Sequence, residues 1–543
     1  MSALIRMLLT GMACYLDSFF TALPYTLRYS EEYSRDQVIK NNKKGNSMNR
    51  RHFLQSAVSA GVASAIPLRM TLAQMTEVTG DVAAVTGSGA GISIEQAAVR
   101  ELSDSLRGNL LLPGNAGYEV ARRVLNQTID RNPALIVQPT GVADIQNAVT
   151  FARERDMLLA VKCGGHSSSG KSTCDGGMQL DLSTYRHARV DAAAKSAYVA
   201  GGSLLGELDR ESMAQGLVSP SGTVSHTGVG GLTLGGGFGR LARKYGLALD
   251  NIKSMDVVTA DGQFRHASPG EKPDLYWALR GGGGNFGVVT SFEFALHPMQ
   301  QQVIGGEIVF PMERARDILT AFSELVMSSP DDLYLDGYMA KTMDGQGDGV
   351  GMHVCYSGPA AKADEVLAPI RKLGKPVYES IAPINYVDIQ RSWDDTDPRN
   401  EGLYQKGGFI NEFPGELVDK LLDGFEGDPG RKTQLYFQHS GGAIGRVAAD
   451  ATAFAHRKSA TNMLVFIAWP AENDGTPHID YIRSYWKTVE AYTDGWYTNE
   501  LGDESQKMQH GNYQVNFDRL LKVKKQYDPS NLFRLNTNID PTA

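Results

Sequence analysis

The feature that most restricts the fold is a segment, Gly228 to Gly239, in which seven of twelve residues are glycine. Glycine loses more conformational entropy on folding than any other residue, so this density is unfavourable unless packed backbone or a ligand needs the space. Leu232, Leu234 and Phe238 alternate with the glycines as packing anchors would, which argues against a flexible loop. We therefore interpret the segment as a cradle that brings backbone close to a bound ligand.

A second glycine-rich segment, Gly164 to Gly170, follows the short apolar run Leu158 to Val161. Turns of this kind can point several backbone N–H groups at a pyrophosphate. The nucleophile pattern G-x-S-x-G is not met, because one extra residue separates the serine from the last glycine. A serine hydrolase therefore has little support, and we interpret this segment as a second part of a cofactor cradle.

A third glycine run, Gly282 to Gly287, matches the string G-x-G-x-x-G of dinucleotide-binding turns. Such a turn must open a helix whose N-terminus meets the pyrophosphate. The residues that follow, Val288 to Phe294, alternate and are rich in β-branched and aromatic types, which predicts a strand. We therefore reject a Rossmann fold.

Helix and strand patterns are mixed along the chain. Apolar residues at helical spacing predict a helix over Val142–Glu154. Short strands are predicted over 158–161, 178–181, 196–200, 253–259 and 287–296, and longer alternating strands over 434–438 and 462–469. Alternation with one face covered by helices is typical of antiparallel sheets, so the pattern predicts an α+β fold.

The amino-terminal residues have the pattern of an export signal. The pair Arg50–Arg51 precedes a mild apolar run, 57–68, which is too short to span a membrane and ends in small residues. Paired arginines in this position resemble the twin-arginine signal. We expect such a signal over 48–74, export of the folded protein by the twin-arginine machinery, and a periplasmic or secreted location. A disordered amphipathic leader is the alternative, and residues 1–47 remain an unassigned leader because Met48 could be the true start.

Charge and cysteine content narrow the possible partners. The formal net charge is −8, and residues 1–73 hold nine lysines and arginines against four acidic residues, so the remainder is more acidic still. An acidic surface repels phosphate backbones, so we expect no nucleic-acid partner. Four cysteines are too few and too scattered for a metal site or a disulfide framework. Cys163 and Cys174 could pair across their short loop, but we expect free thiols.

Several motifs occur in an order that resembles one family. They are Asn132 to Pro139, Val161 to Ser167, Gly222 to Gly239, Arg243 to Asn251, Asp274 to Gly287, Tyr497-Thr498-Asn499 and Tyr527 to Phe533. Together they resemble the FAD-linked oxidases of the vanillyl-alcohol-oxidase superfamily, which carry a PCMH-type FAD-binding domain. The resemblance is strongest to the berberine-bridge-enzyme-like branch and spans roughly residues 110–541.

This resemblance implies a two-lobed fold. An FAD-binding domain would occupy 75–300, with its PCMH-type core at about 131–301. A substrate domain, an antiparallel sheet covered by helices, would occupy 301–495, and a C-terminal segment, 496–543, would return to the FAD domain. The isoalloxazine ring would then lie between the lobes, where pockets commonly form.

The resemblance also implies a single covalent bond from His166, in the Gly-Gly-His motif, to the 8α-methyl carbon of FAD. Bicovalent relatives attach a cysteine as well, but that position falls on Val224, so we expect no second bond. No metal is expected. The other residues expected to contact FAD are Lys162, Cys163, Gly164, Gly165, Ser167, Ser168, Gly170, Gly222, Thr223, His226, Gly228, Gly230, Gly231, Gly235, Gly236, Gly239, Val289 and Asn499.

The proton acceptor is less clear from the motifs, because the family's usual base position falls on Leu464, and leucine cannot take a proton. Tyr497 is the expected base, since the tyrosine of the Tyr-x-Asn motif lies beside the flavin in related oxidases. A phenol titrates near 10, so it would need a cation or a hydrogen-bond donor nearby. His439 and Asn462 are weaker candidates for orienting the substrate, and a structural hydrogen bond is the alternative role for each.

Taken together, these features predict an FAD-dependent oxidoreductase of the oxidase type. It would take a hydride from a C–OH or C–N centre of a small organic substrate and reduce O2 to H2O2. Two alternatives remain: a flavin dehydrogenase that uses another electron acceptor, and a flavin-binding protein without turnover.

Overall fold

The computed structural model describes residues 78–394, 400–500 and 506–543, which belong to one compact unit. The predicted export signal and the leader before it lie outside these residues. No helix in the described part of the chain is long and apolar enough to cross a membrane.

Twenty-one strands are present in the described residues. They are β1 (Val82–Val85), β2 (Gly91–Ile94), β3 (Asn109–Leu111), β4 (Leu135–Gln138), β5 (Leu159–Lys162), β6 (Met178–Asp181), β7 (Ala188–Asp191), β8 (Ser196–Ala200), β9 (Leu217–Val218), β10 (Ile252–Val258), β11 (Phe264–Ala267), β12 (Val288–Ala295), β13 (His297–Pro298), β14 (Gln302–Phe310), β15 (Leu333–Lys341), β16 (Gly349–Tyr356), β17 (Tyr378–Glu379), β18 (Ala382–Asn385), β19 (Glu401–Ile410), β20 (Lys432–His439) and β21 (Thr461–Pro470).

Fifteen α-helices are present in the same residues. They are α1 (Gln96–Ser105), α2 (Tyr118–Ala121), α3 (Val142–Glu154), α4 (Leu205–Met213), α5 (Val229–Gly235), α6 (Ala242–Tyr245), α7 (Pro273–Leu279), α8 (Ala315–Ser328), α9 (Ala363–Arg371), α10 (Tyr386–Arg391), α11 (Gly415–Leu422), α12 (Ala443–Arg446), α13 (Thr476–Val489), α14 (Gln506–Asn512) and α15 (Phe517–Tyr527).

Two sheets carry the glycine-rich segments. A four-stranded sheet has the order β3-β4-β6-β5, in which β4, β6 and β5 run parallel. A five-stranded antiparallel sheet has the order β11-β10-β12-β8-β7. The segment Gly164–Gly170 leaves the end of β5, and α5 lies inside the segment Gly228–Gly239. Strand β5 thus positions the first glycine-rich segment, and the second is itself partly helical.

The largest sheet is antiparallel and has eight strands. Its order is β17-β14-β16-β15-β20-β21-β19, and β18 also pairs with β14. Successive side chains on a strand point to opposite faces. On one face, residues such as Leu335, Met352, Phe437 and Val465 pack with helices α8, α9, α11 and α13 in a large apolar core. The opposite face is the one that meets the cavity described below.

The predicted fold class is confirmed, since the described residues mix helices with antiparallel sheets and the predicted elements are present. Helix α3 has the predicted bounds, and β5 and β10 differ from prediction by one residue at each end. After a short 3-10 turn, Gly283–Phe286, the third glycine run leads into β12, as the argument against a Rossmann fold required. Helix α5 was not predicted, because seven residues rich in glycine have low helix propensity. Cys163 and Cys174 are free thiols.

Candidate functional site

A cavity of about 1220 Å³ lies between the glycine-rich segments, the C-terminal segment and the free face of the eight-stranded sheet. Its wall includes Gly164 to Ser169, residues around Gly228, the motif Tyr497 to Asn499, and side chains of β14, β15, β16, β19, β20 and β21. Small-molecule sites are usually roughly 300–1,000 Å³, so this volume has room for a large cofactor and a second molecule.

The two glycine-rich segments meet through bare backbone. A Cβ atom added to Gly164 would lie 2.4 Å from the backbone nitrogen of Gly228, and one added to Gly228 would lie 2.5 Å from Cys163 Sγ. Both distances are far too short for a side chain. Gly231 and Gly283 differ, because a Cβ atom added to either would have no other atom within 4 Å. Both glycines line the cavity wall. The glycines therefore serve both close packing and a wall made of backbone.

His166 lies on the cavity wall and is held by two neighbours. Its Nε2 is 2.7 Å from Nδ1 of His226, and its Nδ1 is 3.5 Å from the hydroxyl oxygen of Thr227. The two imidazole ring centres are 4.8 Å apart. His226 does not itself line the cavity, so it fixes the orientation of the His166 ring from behind.

The predicted FAD contacts divide into two groups. The first lines the cavity together with His166 and consists of Cys163, Gly164, Gly165, Ser167, Ser168, Gly222, Thr223, Gly228, Gly230, Gly231, Val289 and Asn499. The second lies behind the wall and consists of Lys162, Gly170, His226, Gly235, Gly236 and Gly239. Lys162 is buried 3.8 Å from the carboxylate of Asp181, and burial lowers its pKa while Asp181 opposes that change. Its Nζ also donates to the Ala121 carbonyl oxygen, so the side chain joins β5 to α2 and β6 and does not reach the cavity.

Gly235 and Gly236 allow the C-terminal motif to approach helix α5. A Cβ atom on Gly235 would lie 2.1 Å from Asn499 Oδ1, and one on Gly236 would lie 2.9 Å from the Tyr497 ring. Asn499 Nδ2 also donates to the carbonyl oxygen of Leu232, at 3.1 Å. These two glycines thus dock the motif Tyr497-Thr498-Asn499 against the second glycine-rich segment.

Tyr497 is buried at this junction, and its hydroxyl is fully engaged. The oxygen accepts hydrogen bonds from the Gly237 backbone N–H, at 2.8 Å, and from Asn499 Nδ2, at 2.7 Å. It donates to the Leu232 carbonyl oxygen at 3.5 Å. Burial raises the pKa of Tyr497 well above its usual value, the two donors oppose this, and the charge of Glu500 adds to it. The two donors would stabilise a phenolate, but the position that loss of the proton would free faces the Leu232 carbonyl oxygen, and burial disfavours the charged form, so the geometry does not support the expected role of base.

His439 does not reach the cavity. It is fully buried, its Nε2 is 2.9 Å from the Val326 carbonyl oxygen, and its Nδ1 accepts from the Leu335 backbone N–H at 3.3 Å. Burial, together with the charge of Arg243, keeps its pKa well below the usual value. We therefore assign His439 a structural role, in which it makes hydrogen bonds inside the protein and does not contact a substrate.

Asn462 is also fully buried and stands one layer behind the wall. Its Nδ2 donates to Gln438 Oε1 at 2.8 Å and to Glu500 Oε2 at 2.9 Å. Gln438 and Glu500 both line the cavity. Asn462 therefore orients two residues of the wall instead of touching a substrate itself.

Strand register brings together five polar residues, of which the sequence analysis singled out only Asn462. Glu307, His353, Asp336, Gln438 and Asn462 stand side by side on five neighbouring strands. The first four line the cavity. The alternation of polar and apolar residues along each strand could show which residues share a face of the sheet. It could not show which of them become neighbours, because that depends on the pairing of strands distant in sequence.

The carboxyl groups of this wall differ in environment. Glu307 Oε1 is 3.2 Å from His353 Nε2, and Glu401 Oε1 is 2.6 Å from Lys432 Nζ. Asp336 is fully buried, and burial raises its pKa while the hydroxyls of Tyr334 and Tyr436 oppose the shift.

Leu464 and Val224, the positions on which the family resemblance places the usual base and the second attachment residue, both line the cavity. Leu464 packs with Tyr338 and Tyr436, so this part of the wall is apolar and aromatic. A carboxylate at 464 and a thiol at 224 are absent from the wall.

Comparison with known proteins places this site in a family. Residues 133–268 match the family model described as FAD binding domain, and residues 496–540 match the one described as berberine and berberine like. An FAD-linked oxidoreductase of Dictyostelium discoideum is 33% identical over 82% of this chain and 97% of its own length. Xylooligosaccharide oxidase of Thermothelomyces thermophilus is 27% identical over 84% and 97%. The crystal structure of 6-hydroxy-D-nicotine oxidase from Arthrobacter nicotinovorans superposes with a TM-score of 0.73 at 28% identity, covering 80% of this chain and 98% of that one.

The fold and the cavity are therefore those of an FAD-linked oxidoreductase. Within that class, the chain belongs to the berberine-bridge-enzyme-like branch of the vanillyl-alcohol-oxidase superfamily.

Proposed function

We propose that the protein is an FAD-dependent oxidase that takes a hydride from a C–OH or C–N centre of a small organic substrate and reduces O2 to H2O2. The observation that carries this proposal is the single cavity shared by His166, the Tyr497 motif and the polar face of the sheet. Relatives named as a xylooligosaccharide oxidase and a hydroxynicotine oxidase support both donor types.

The residues of the cavity fit FAD. Backbone at Gly231 and Gly283 leaves open space on the cavity wall, so that a flat, charged molecule can approach closely where side chains would prevent it. Ser167 and Ser168 add hydroxyl groups at the same wall. When bound, FAD would supply the hydride acceptor and the route for two electrons to O2.

We also propose that His166 holds FAD by one covalent bond to the 8α-methyl carbon. The ring of His166 faces the cavity and is kept in place by His226 and Thr227, as attachment requires. The valine at position 224 supports a single bond, because its side chain lines the cavity where a thiol would be needed.

The substrate would lie against the free face of the eight-stranded sheet. This wall combines amide and carboxyl groups, such as Gln434, Gln438 and Glu307, with the rings of Tyr338 and Phe466. Hydroxyl and amine groups can hydrogen-bond to the former, and apolar parts of a substrate can pack on the latter. The wall therefore suits a small molecule with both polar and apolar parts.

Export in the folded state remains part of the proposal. It rests on Arg50 and Arg51 before a short apolar run, and on the need to load FAD before leaving the cytoplasm. The export signal and a periplasmic or secreted location follow from that sequence pattern alone.

The function is tested with a panel of donors that includes xylobiose, 6-hydroxynicotine and benzyl alcohol. Anaerobic mixing with a true substrate should bleach the flavin absorbance, and admission of air should restore it rapidly with formation of H2O2. Slow reoxidation in air would indicate a dehydrogenase that uses another acceptor. A flavin that no donor bleaches, although dithionite reduces it, would favour a binding protein and contradict the proposal.

A further inference from the structure

Glu500 follows directly after the motif Tyr497-Thr498-Asn499, and its side chain lines the cavity. Its backbone carbonyl accepts hydrogen bonds from Gln405 Nε2 on β19 and from the Ser168 hydroxyl, the latter at 3.4 Å. These two hydrogen bonds fix the backbone of Glu500 both to the sheet and to the first glycine-rich segment. This places the Glu500 carboxyl group at the junction between the substrate wall and the cofactor cradle.

The carboxyl group of Glu500 has an unusual environment. Its Oε2 accepts one hydrogen bond, from Asn462 Nδ2 at 2.9 Å. Glu307 and Glu401 on the same wall each have a basic partner, His353 and Lys432. No basic group among the described residues stabilises the charge of Glu500. Burial raises the pKa of Glu500 to about 8, and only the bond from Asn462 opposes the shift.

The groups packed around Glu500 come from four elements. They are Asn462 of β21, which also holds Gln438 of β20, then Gln405 of β19, Ser168 of the first glycine-rich segment, and Tyr497 of its own segment. Among these groups only Tyr497 titrates, and its pKa lies well above that of Glu500. A carboxyl group in this setting can change protonation state close to neutral pH, as a general base must.

The contrast with Tyr497 decides between the two residues. The tyrosine oxygen accepts hydrogen bonds from Gly237 and Asn499, and the one further position that loss of its proton would free faces the Leu232 carbonyl oxygen rather than a substrate. A carboxylate offers roughly four acceptor positions, and Asn462 uses one of those on Glu500.

We propose that Glu500 is the catalytic base that accepts the proton of the substrate O–H or N–H group, and that Asn462 positions it. The proposal rests on the function proposed above. With FAD bound as hydride acceptor, the donor carbon would give up its C–H electron pair as hydride while the O–H or N–H bond breaks, and the electron pair of that bond would form the new C=O or C=N bond. The proton goes to a Glu500 carboxylate oxygen and is later released, while O2 takes up two electrons and two protons to give H2O2.

The test compares the holoenzyme with Glu500→Gln and Glu500→Asp, using anaerobic stopped-flow reduction by the panel donors between pH 6 and pH 10. Wild type should be reduced faster as the pH rises through about 8, where Glu500 loses its proton. Glu500→Gln should slow reduction by about 10²–10⁴-fold and remove that step in the pH profile. Glu500→Asp should keep the step at a lower rate. Glu412→Gln, an exposed carboxyl group outside the cavity, is the matched control and should behave as wild type.

A second measurement does not depend on turnover. The pKa of Glu500 rises from 4.5 to about 8 on folding, so the folded state keeps a proton that the unfolded state releases between these values. Stability from this group is therefore lost as the pH rises from 4.5 to about 8. The melting temperature of wild type should fall over this interval relative to that of Glu500→Gln.

The outcomes separate the two proposals. If a donor bleaches wild type and Glu500→Gln at equal rates with the same pH profile, Glu500 is not the base and the proposed function stands. If no donor bleaches wild type, the proposed function fails and the base proposal fails with it. Equal melting-temperature profiles for wild type and Glu500→Gln would contradict the protonation behaviour on which the proposal depends.

Discussion

Substitution of Tyr497 by phenylalanine separates a structural hydroxyl from a catalytic one. The change keeps the ring, which packs against Phe238 with ring centres 5.2 Å apart. It removes the acceptor of two hydrogen bonds. The buried Gly237 N–H loses its partner, whereas the Asn499 amide keeps its hydrogen bond to the Leu232 carbonyl oxygen. One unsatisfied buried donor costs about 1–3 kcal/mol, so we expect a loss of stability of that size.

Denaturant unfolding of the holoproteins, followed by circular dichroism, measures this loss. Tyr492→Phe is the control, because Tyr492 lies outside the cavity wall and its ring is only partly buried. Since the Tyr497 hydroxyl supports the turn at Gly237 and accepts no substrate proton, flavin reduction should stay within about tenfold of wild type. A loss of about 10²–10⁴-fold, without loss of stability, would show that the phenol is the base and refute this reasoning.

Two further changes test the cradle and the leader. Gly228→Ala should lower the fraction of protein that carries flavin, because the new Cβ would lie 2.4 Å from Gly164 N. The ratio of flavin to protein absorbance measures this fraction. Gly270→Ala is the control and should have no effect, because the space around Gly270 is open. Replacing both Arg50 and Arg51 by lysine should keep the loaded protein in the cytoplasm, and undiminished periplasmic activity of that variant would contradict the assigned signal.

Local pattern was enough to predict much of the fold. Helix α3 and strands β5, β10 and β12 could be read from apolar spacing, since each buries its side chains in a regular way. The strand after Gly287 was decisive, because it excluded a Rossmann turn. Helix α5 was missed, because its glycines disfavour a helix in isolation and packing against Tyr497 and Asn499 sets its surroundings.

The candidate site was only partly predictable, because its wall is built from strands distant in sequence. Asp336, His353 and Gln438 become neighbours through the register of β15, β16 and β20, which no local pattern specifies. From the sequence alone, His439 is a plausible catalytic residue because imidazole can transfer protons. In the fold its side chain is fully buried and points away from the cavity, where it contacts the Val326 carbonyl oxygen. Glu500 follows directly after a stronger motif, and only its place on the cavity wall and its hydrogen bond to Asn462 point to the proposed chemistry.

The attachment of FAD to His166 is the central claim, and denaturation tests it most directly. Wild-type protein is precipitated with acid, washed and compared with His166→Ala treated in the same way. The account predicts that the wild-type precipitate stays yellow and that His166→Ala releases its flavin into the supernatant, because His166, on the cavity wall, is the one proposed point of attachment. Free FAD in the wild-type supernatant, or a precipitate of His166→Ala that remains yellow, would contradict it.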